Sequence, residues 1–475
     1  MKVLFVAAEA APFIRTGGLG DVVGALPAAL VKSKIDARVI LPLYADIPES
    51  YRNKMVFMGS VNVPLGWRNQ YAGLFTLEHN KVIYYFIDNE FYFKKKGLYG
   101  YFDDGERFAF FSKAVLEVLP LMDFYPNVIQ VNDWQTALLP TYLDAYFRNV
   151  EGFENIKTIL AIHNIEFQGN IDKYCILNVF GLPRHMFNVV EYKGDANMLK
   201  AGIESANKVV TVSPTYAQEI LNPYFAYGLS DILEARKYKL CGILNGIDTD
   251  LYNPLQDKSL FQSFSVKSIA RRKKNKKGLQ SMLGLPESDK PLIGMITRLT
   301  AQKGIDLLFA VSREIMDLDI QMVVLGTGDW KYENGINELN SYYPTKFRGI
   351  INFSAGLASQ IYAGTDMFLM PSKFEPCGLS QMIAMRYGSI PIVRETGGLK
   401  DSVTPYNPEE KTGNGFTFKT FNAYDMLDAV KRAVGTYFNK ADWNTVVTNA
   451  MNLDMSWKKS AETYISIYEE LTSKD

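Results

Sequence analysis

The chain has 475 residues, more than one hydrophobic core normally organises, so we expect at least two domains. Lysine and arginine together number 51, as do aspartate and glutamate, and this neutral balance argues against nucleic acid or an anionic membrane as the main partner. The three cysteines have neither disulfide nor zinc spacing, which favours the reducing environment of the cytoplasm. No apolar run approaches the length of a membrane span.

Predicted strands and helices alternate through the first half of the chain. The run KVLFVAAE predicts a strand buried on both faces rather than a signal peptide, GGLGDVVGALPAALVKS predicts a helix, and ARVILPLY predicts the next strand. Further strands are predicted at KVIYYFI, NVIQVN, KTILAIHN and KVVTVS, with helical patterns such as GERFAFFSKAVLEVL between them. This order indicates βαβ units of a doubly wound sheet, in a domain spanning residues 1–243.

A second α/β series follows a segment rich in turn residues. The segment CGILNGIDTDLYNP predicts a hinge at 244–255. The strands PLIGMITRL, IQMVVLGTG, GIINFSA, MFLMPS and IPIVRE then indicate a second Rossmann-like domain over 256–455, and the basic run RRKKNKK predicts a solvated helix start or loop. Residues 456–475 predict an amphipathic helix, for which the N-terminal domain is one candidate packing partner.

The pattern T-G-G-L-x-D occurs twice, at Thr16–Asp21 and at Thr396–Asp401. Each copy follows a predicted strand and opens a predicted helix, where free backbone N–H groups can meet an anion. In ITRLTAQKG, Arg298 and Lys303 lie in another strand-to-helix loop and suit a diphosphate; two solvent-facing charges are the structural alternative. The order G-G-L-G differs from G-x-G-x-x-G, so NAD binding has little support.

Other polar residues follow predicted strands, where ligands of doubly wound sheets bind. His163 follows KTILAI, and Asp133 and Trp134 follow NVIQVN; a structural histidine and a core tryptophan are the alternatives to sugar contacts. Glu375 could cap a helix or accept sugar hydroxyls, and Asn245 could belong to a hinge or to a ligand loop.

These segments, taken together and in order, resemble one enzyme family. TGGLGDVVGALP, NDWQT, IHN, GILNGID, TRLTAQKGIDLL and PSKFEPCGLSQMIAMRYGSIPIVRETGGLKDSV are similar to segments of bacterial glycogen synthases and plant starch synthases. The resemblance extends from Met1 to about Trp457, and the combination is specific although no single motif is. It implies the GT-B fold, with two Rossmann-like domains facing across a cleft.

The resemblance also implies the reaction and its site. Members of this family transfer glucose from ADP-glucose to the non-reducing end of an α-1,4-glucan such as glycogen, with retention of configuration, and require no cofactor or metal. The matching positions imply three groups of site residues. The catalytic group is His163, Arg298, Lys303 and Glu375; the donor-binding group is Arg15, Gly17, Gly18, Asp21, Asn245, Phe353, Cys377, Gly378, Leu379, Thr396, Gly397 and Gly398; the acceptor-binding group is Glu9, Asp133 and Trp134.

Three positions depart from the family's pattern, and two alternatives stay open. Arg15 stands where the family commonly has lysine, Asn132 stands where it often has histidine, and a late loop has TGNGF where TGTGF is frequent. One alternative is another retaining GT-B glucosyltransferase that uses UDP-glucose or a smaller acceptor; such enzymes often carry a second glutamate where this chain has Ile383. The other is a glucan-binding scaffold without catalysis, which would not need to keep the phosphate and sugar residues.

Overall fold

The computed structural model describes residues 1–473. The chain divides into two compact units, one formed by Met1–Asn245 together with Trp457–Asp475 and the other by Gly246–Ser456. Each unit contains a sheet whose central strands are parallel and joined through helices, so the prediction of an α/β protein with two Rossmann-like domains is confirmed. Among the described residues no helix is both long and apolar enough to cross a membrane.

The strands of the first unit carry the numbers β1 to β12. They are Lys2–Val6 (β1), Asp36–Pro42 (β2), Val56–Leu65 (β3), Arg68–His79 (β4), Val82–Asp88 (β5), Val128–Asn132 (β6), Lys157–Ile162 (β7), Asn170–Asp172 (β8), Glu191–Tyr192 (β9), Asp195–Asn197 (β10), Lys208–Thr211 (β11) and Leu240–Gly242 (β12). Its helices before the second unit are Gly18–Lys32 (α1), Glu49–Arg52 (α2), Glu90–Phe93 (α3), Asp104–Met122 (α4), Leu138–Tyr142 (α5), Cys175–Asn178 (α6), Phe187–Val190 (α7), Met198–Ser205 (α8), Pro214–Glu219 (α9) and Ser230–Ala235 (α10).

The main sheet of this unit has the strand order β12-β11-β7-β6-β1-β2-β5-β4-β3. Strand β1 pairs in parallel with β2 on one side and with β6 on the other. From β1 the chain therefore builds the sheet first in one direction and then, from β6 onward, in the other. The gap beyond the carboxyl ends of β1 and β6 is the topological switch point, where open α/β sheets bind ligands.

Two parts of this unit are absent from the sequence-based prediction. Strands β3 and β4 form an antiparallel extension at one edge of the sheet, and β8, β10 and β9 form a small separate sheet. Strand β3 is exposed along most of its length, and its register shifts between Phe57 and Gly59. A half-exposed, irregular edge strand lacks the continuous apolar run that identified the central strands.

The second unit contains one six-stranded sheet. Its strands are Leu292–Ile296 (β13), Gln321–Gly326 (β14), Phe347–Ile351 (β15), Met367–Met370 (β16), Ile390–Arg394 (β17) and Phe416–Phe418 (β18). Its helices are Arg272–Met282 (α11), Ile305–Ala310 (α12), Ser312–Asp317 (α13), Trp330–Tyr342 (α14), Ala355–Gly364 (α15), Ser380–Arg386 (α16), Gly397–Ser402 (α17), Ala423–Phe438 (α18) and Lys440–Asn452 (α19). All pairs are parallel in the order β15-β14-β13-β16-β17-β18, so the switch point lies between β13 and β16.

The basic run at the start of α11 is solvated only in part, which corrects the sequence-based prediction. Arg272 and Lys276, one helical turn apart, are buried. The Lys276 ammonium lies 2.7 Å from the Asp366 carboxylate, and the Arg272 guanidinium donates to the Thr365 carbonyl at 2.5 Å. The two buried cations therefore join α11 to the segment that enters β16, while Lys273 and Lys277 stay exposed.

The last helix, Trp457–Thr472 (α20), belongs to the first unit. It packs against α1. The Tyr468 hydroxyl donates to Oε1 of Gln130 on β6 at 2.7 Å, and the Ser460 hydroxyl donates to the Leu244 carbonyl at 2.6 Å. Tyr464 and Tyr468 are buried on this face, which explains why the helix is amphipathic.

Candidate active site

Three polar side chains meet at the switch point of the second unit. Lys303 follows β13, and Ser372 and Glu375 follow β16. The Lys303 ammonium lies 2.6 Å from Oε2 of Glu375, and the Ser372 hydroxyl donates to the same oxygen at 2.9 Å. Both charged side chains are largely buried, with 15% and 10% of their side-chain surface exposed. Lys303 and Glu375 therefore hold each other in fixed positions at the ligand-binding edge of the sheet.

Backbone contacts hold these two loops together. The Lys373 amide donates to the Gln302 carbonyl at 2.7 Å, and the Gln302 side chain donates to the Phe374 carbonyl at 3.3 Å. Gly304 has φ +74°, and a Cβ atom there would lie 2.1 Å from the Pro371 carbonyl oxygen. Only glycine permits this close approach, which brings Lys303 to the loop that carries Glu375.

Arg298 and Phe353 are exposed at the same edge of the second sheet. Arg298 comes two residues after β13, and Phe353 comes two residues after β15. The Phe353 ring is 82% exposed. Because β14 lies between β13 and β15, the two side chains start about 10 Å apart. A cation and a free aromatic face at this spacing suit the phosphates and the base of one nucleotide.

The glycines of the second T-G-G-L copy are required by packing inside the protein. Gly397 has φ +44°, and a Cβ atom there would lie 2.0 Å from the Glu375 carbonyl oxygen. A Cβ atom on Gly398 would lie 2.1 Å from the Cys377 carbonyl oxygen, and the Gly398 amide donates to the Glu375 and Pro376 carbonyls at 3.1 Å. The second T-G-G-L copy therefore packs closely against the backbone of the loop that carries Glu375.

The remaining residues of that loop are held by Gln381. Its side-chain amide donates to the carbonyls of Cys377 and Gly378, at 3.1 and 2.9 Å, and to the Ser402 hydroxyl at 3.1 Å. Gly378 has φ +72°, and Cys377 is buried. Thr396 is buried, and Leu379 is half-buried at the start of α16. The loop thus has one defined shape, in which a bulkier residue at position 378 would be strained.

The first T-G-G-L copy has different surroundings. It does not follow β1 directly, as the sequence had indicated, but comes after the intervening residues 7–15. A Cβ atom on Gly17 or Gly18 would meet nothing within 4 Å, and no side chain caps the start of α1. The first N–H groups of a helix have no acceptor within it. This end of α1 therefore has both room and hydrogen-bond donors for an anion.

A buried carboxylate holds this turn in place. Glu9 is 3% exposed and accepts hydrogen bonds from the Thr16 amide, the Thr16 hydroxyl and the Tyr99 hydroxyl, the last at 2.9 Å. Arg15, beside it, forms an ion pair with Asp21 on the first turn of α1. Glu9 thus acts on the shape of the glycine turn, and its carboxylate is largely occupied within the protein.

Strands β6 and β7 bring Asp133 and His163 together. Asp133 has φ +54°, an unusual conformation for a residue other than glycine. Its Oδ1 atom accepts hydrogen bonds from the His163 amide at 2.7 Å and from the Asn164 amide at 3.4 Å. The imidazole makes a separate contact, in which Nε2 of His163 lies 3.0 Å from Oδ1 of Asn132. The pair is therefore fixed at the switch point of the first unit.

Burial changes the protonation of both side chains. Burial raises the pKa of Asp133 from its ordinary value to about 7, although the His163 and Asn164 amides act in the opposite direction. Burial lowers the pKa of His163 to about 4, against the effect of the negative charge on Glu9. At neutral pH the imidazole is uncharged, and the Asp133 carboxyl lies near its midpoint of titration. Such displaced values are typical of functional sites.

Trp134 and Asn245 have contrasting surroundings. The Trp134 ring packs edge-to-face on Phe108 with centroids 5.3 Å apart, and it also lies against Gly169, where a Cβ atom would lie 2.4 Å from the ring. The structure therefore gives this tryptophan a packing role. Asn245 is 5% exposed, and its Oδ1 atom accepts no hydrogen bond from any residue in 1–473. This amide oxygen is therefore available to accept a hydrogen bond from a ligand.

Sequence reasoning missed three residues that shape these sites: Tyr99, Ser372 and Gln381. It noted Asn132 only as a departure from the family's pattern. Tyr99 lies far along the chain from Glu9, and nothing in its surroundings predicts that contact. Within the described residues no group of three or more His, Cys, Asp or Glu side chains converges as metal ligands.

Two family models match this chain. The model described as the starch synthase catalytic domain matches residues 2–235, and the model described as glycosyl transferases group 1 matches residues 284–441. The chain is similar to a protein of Clostridium acetobutylicum named glycogen synthase, at 50% identity over 98% of this chain and 99% of that protein. It is 49% identical to the glycogen synthase of Clostridioides difficile, over 99% of this chain and the whole of that protein.

A solved structure is also similar. It is the catalytic domain of starch synthase IV from Arabidopsis thaliana, bound to ADP and acarbose. The TM-score is 0.91, the identity is 34%, and the match covers 99% of each chain. This similarity extends over the whole of the GT-B fold and agrees with the two family models.

We predict that Asp133→Asn changes how stability depends on pH. Because the pKa of Asp133 is higher in the folded state than in the unfolded chain, the folded state binds the proton more tightly. This carboxyl therefore destabilises the wild type increasingly as the pH rises from about 4 to about 7. The difference in stability between the variant and the wild type should therefore increase in favour of the variant from pH 5 to pH 8. Urea-unfolding midpoints measure this difference.

The comparison isolates Asp133, because the titration of His163 is present in both proteins. Asp172→Asn is a matched control, since exposed Asp172 also accepts a hydrogen bond from a backbone amide in the same unit. A difference between Asp133→Asn and wild type that stays constant from pH 5 to pH 8 would contradict the elevated pKa.

Proposed function

This chain belongs to the glycogen and starch synthase family of glycosyltransferases, and from that membership we propose that it transfers glucose from ADP-glucose to the non-reducing end of an α-1,4-glucan. The observation that carries this assignment is the cluster of Lys303, Glu375 and Ser372 at the switch point of the second sheet. ADP as the nucleotide rests on the ligand of the similar starch synthase structure and on the family resemblance.

Lys303 and Arg298 would neutralise the leaving diphosphate. Breaking the bond between glucose and phosphate leaves negative charge on the diphosphate and positive charge on the anomeric carbon. A cation that is already oriented lowers this barrier without reorganisation during the reaction. Lys303 is oriented by Glu375, whereas exposed Arg298 can offer a bidentate contact to phosphate oxygens. Phe353 would stack on the nucleotide base.

His163 and Asp133 would contact the glucose and the acceptor in the first unit. The reaction needs no second catalytic carboxylate, because ADP is a good leaving group and a diphosphate oxygen can accept the acceptor's proton on the same face. Gly17, Gly18 and the free N–H groups at the start of α1 would meet donor phosphate. The orphan amide oxygen of Asn245 would accept a hydrogen bond from a ligand hydroxyl.

The decisive assay measures ADP release. Purified protein with ADP-glucose and glycogen should release ADP and lengthen the glucan, while UDP-glucose should give much lower turnover. The same assay with maltose and fructose as acceptors tests for a small-acceptor enzyme. Faster turnover with UDP-glucose, or with a small acceptor in place of glycogen, would contradict the proposal. Glycogen binding without ADP release would instead favour a scaffold.

We predict that Lys303→Ala and Glu375→Ala each lower kcat by at least ~100-fold, since each removes fixed charge from the site of bond breaking. The measurement is initial-rate kinetics with ADP-glucose and glycogen. Lys290→Ala is a matched control, because Lys290 is half-exposed in the same unit and pairs with Asp319 at 2.6 Å. Near-wild-type turnover in both active-site variants would contradict the assigned roles.

A further inference from the structure

The amide group of Asn132 has one possible orientation. The side chain is fully buried at the end of β6, and its Nδ2 atom lies 3.0 Å from the Val6 carbonyl oxygen and 3.3 Å from the Gln130 carbonyl oxygen. Backbone carbonyls only accept hydrogen bonds, so the atom facing both of them must be the NH2 group. The amide oxygen, Oδ1, therefore faces His163.

This orientation determines which nitrogen of His163 carries the proton. Oδ1 of Asn132 has no hydrogen to donate, so Nε2 of His163, 3.0 Å away, must be the donor. Because the pKa of His163 is lowered to about 4, the ring carries a single proton at neutral pH. That proton is on Nε2, and Nδ1 keeps its lone pair.

We propose that Asn132 is a positioning residue, which holds His163 as the neutral Nε2–H tautomer so that Nδ1 accepts a hydrogen bond from a hydroxyl of the transferred glucose. The proposal rests on the proposed function for the presence of that glucose, whereas the tautomer itself depends only on the contacts of Asn132. The chemistry selects a group that donates, such as a sugar hydroxyl, and disfavours a carbonyl or a phosphate oxygen.

The neutral state of this ring also suits the reaction. Positive charge develops at the anomeric carbon as the bond to the diphosphate breaks, and an imidazolium at the same glucose would oppose it. An uncharged imidazole that accepts a hydrogen bond leaves partial negative charge on the sugar oxygen instead. The amide of Asn132 provides the required acceptor for Nε2–H without adding a charge.

Glu9 acts on His163, Asp133 accepts a hydrogen bond from the His163 amide, and Tyr99 and Tyr216 lie within electrostatic reach of Asp133. The Glu9 carboxylate acts to raise the pKa of His163, but burial outweighs it. Asp133 accepts the His163 amide and titrates near pH 7. Burial raises the pKa of the phenols of Tyr99 and Tyr216, so both are neutral at the pH of the assay. A carboxylate in place of Asn132 would put one oxygen against the ring and the other against the Val6 and Gln130 carbonyls, so its ionised form would be stabilised chiefly by a protonated His163.

The tautomer can be measured directly in the intact protein. The chain has three histidines, so nitrogen-15 labelling of histidine gives a simple spectrum, and His163→Gln identifies the signals of residue 163. At pH 7 without ligand, the expected result is a protonated Nε2 and an unprotonated Nδ1. A protonated Nδ1, or an imidazolium at pH 7, would overturn the proposal.

Asn132→Asp tests whether Nδ1 of His163 accepts a hydrogen bond from the substrate. A contacting carboxylate should raise the pKa of His163 by about 1–3 pH units in an NMR titration. The ratio of variant to wild-type kcat/KM should then fall as the pH is lowered from 8 to 6, because more His163 loses its Nδ1 lone pair. Because the new charge also raises the pKa of Asp133, the fall in the ratio must follow the pKa of His163 measured by NMR in the same variant.

Two further variants separate positioning from a merely structural role. Asn207→Asp is the matched control, because Asn207 accepts the Thr158 amide at 2.8 Å at the other end of β7. It should leave the pKa of His163 and the pH profile unchanged. Asn132→Ser replaces the obligatory acceptor with a hydroxyl that can donate or accept, and it adds no charge, so it should mix the two tautomers and lower kcat/KM equally at pH 6 and pH 8.

The outcomes distinguish this proposal from the proposed function. If the wild type releases no ADP from ADP-glucose with glycogen, the proposed function fails, and the nitrogen-15 spectrum still decides the tautomer. If the wild type is active and Asn132→Asp raises the pKa of His163 but leaves the kcat/KM ratio constant from pH 6 to pH 8, the proposed contact of Nδ1 with substrate is wrong.

Discussion

The reversal of strand order in the parallel part of each main sheet is the constraint on which the rest of this structure depends. Where neighbouring strands lead their helices to opposite faces, the two loops beyond their carboxyl ends separate and leave an opening. In the first unit this occurs between β1 and β6, and Asp133 follows β6 at that opening. In the second unit it occurs between β13 and β16, which brings Lys303 to Glu375. The same topology thus produces two different sites from similar sheets.

The two sites manage charge in different ways. In the second unit a cation and a carboxylate are largely buried together, and burying such a pair stabilises little unless its remaining hydrogen bonds are made. Ser372 supplies one of these bonds, so Lys303 is held ready for a second anion. In the first unit burial keeps His163 neutral and holds Asp133 near its midpoint of titration. The site in the second unit therefore suits a charged leaving group, and the site in the first unit suits sugar hydroxyls.

The central strands were predictable because they are continuous apolar runs, and strand ends then located Arg298, Lys303, Asp133 and His163. Contacts between distant segments were not predictable. No periodicity links Glu9 to Tyr99 or indicates that Gly397 must be glycine to pass the Glu375 carbonyl. The two T-G-G-L copies show what sequence could not predict. The same four residues begin a helix with open space around its glycines in the first unit, and pack against another loop in the second. The burial of Arg272 and Lys276 in α11 was not predicted, because composition gives the number of charges but not the helix face on which each one lies.

The most direct test of this account is a crystal structure of the protein with ADP. The account predicts that oxygens of the terminal phosphate lie about 3 Å from the Lys303 ammonium and the Arg298 guanidinium, with Lys303 still in contact with Glu375. It would be contradicted by a diphosphate bound away from the carboxyl ends of β13 and β16, with neither cation in contact with it.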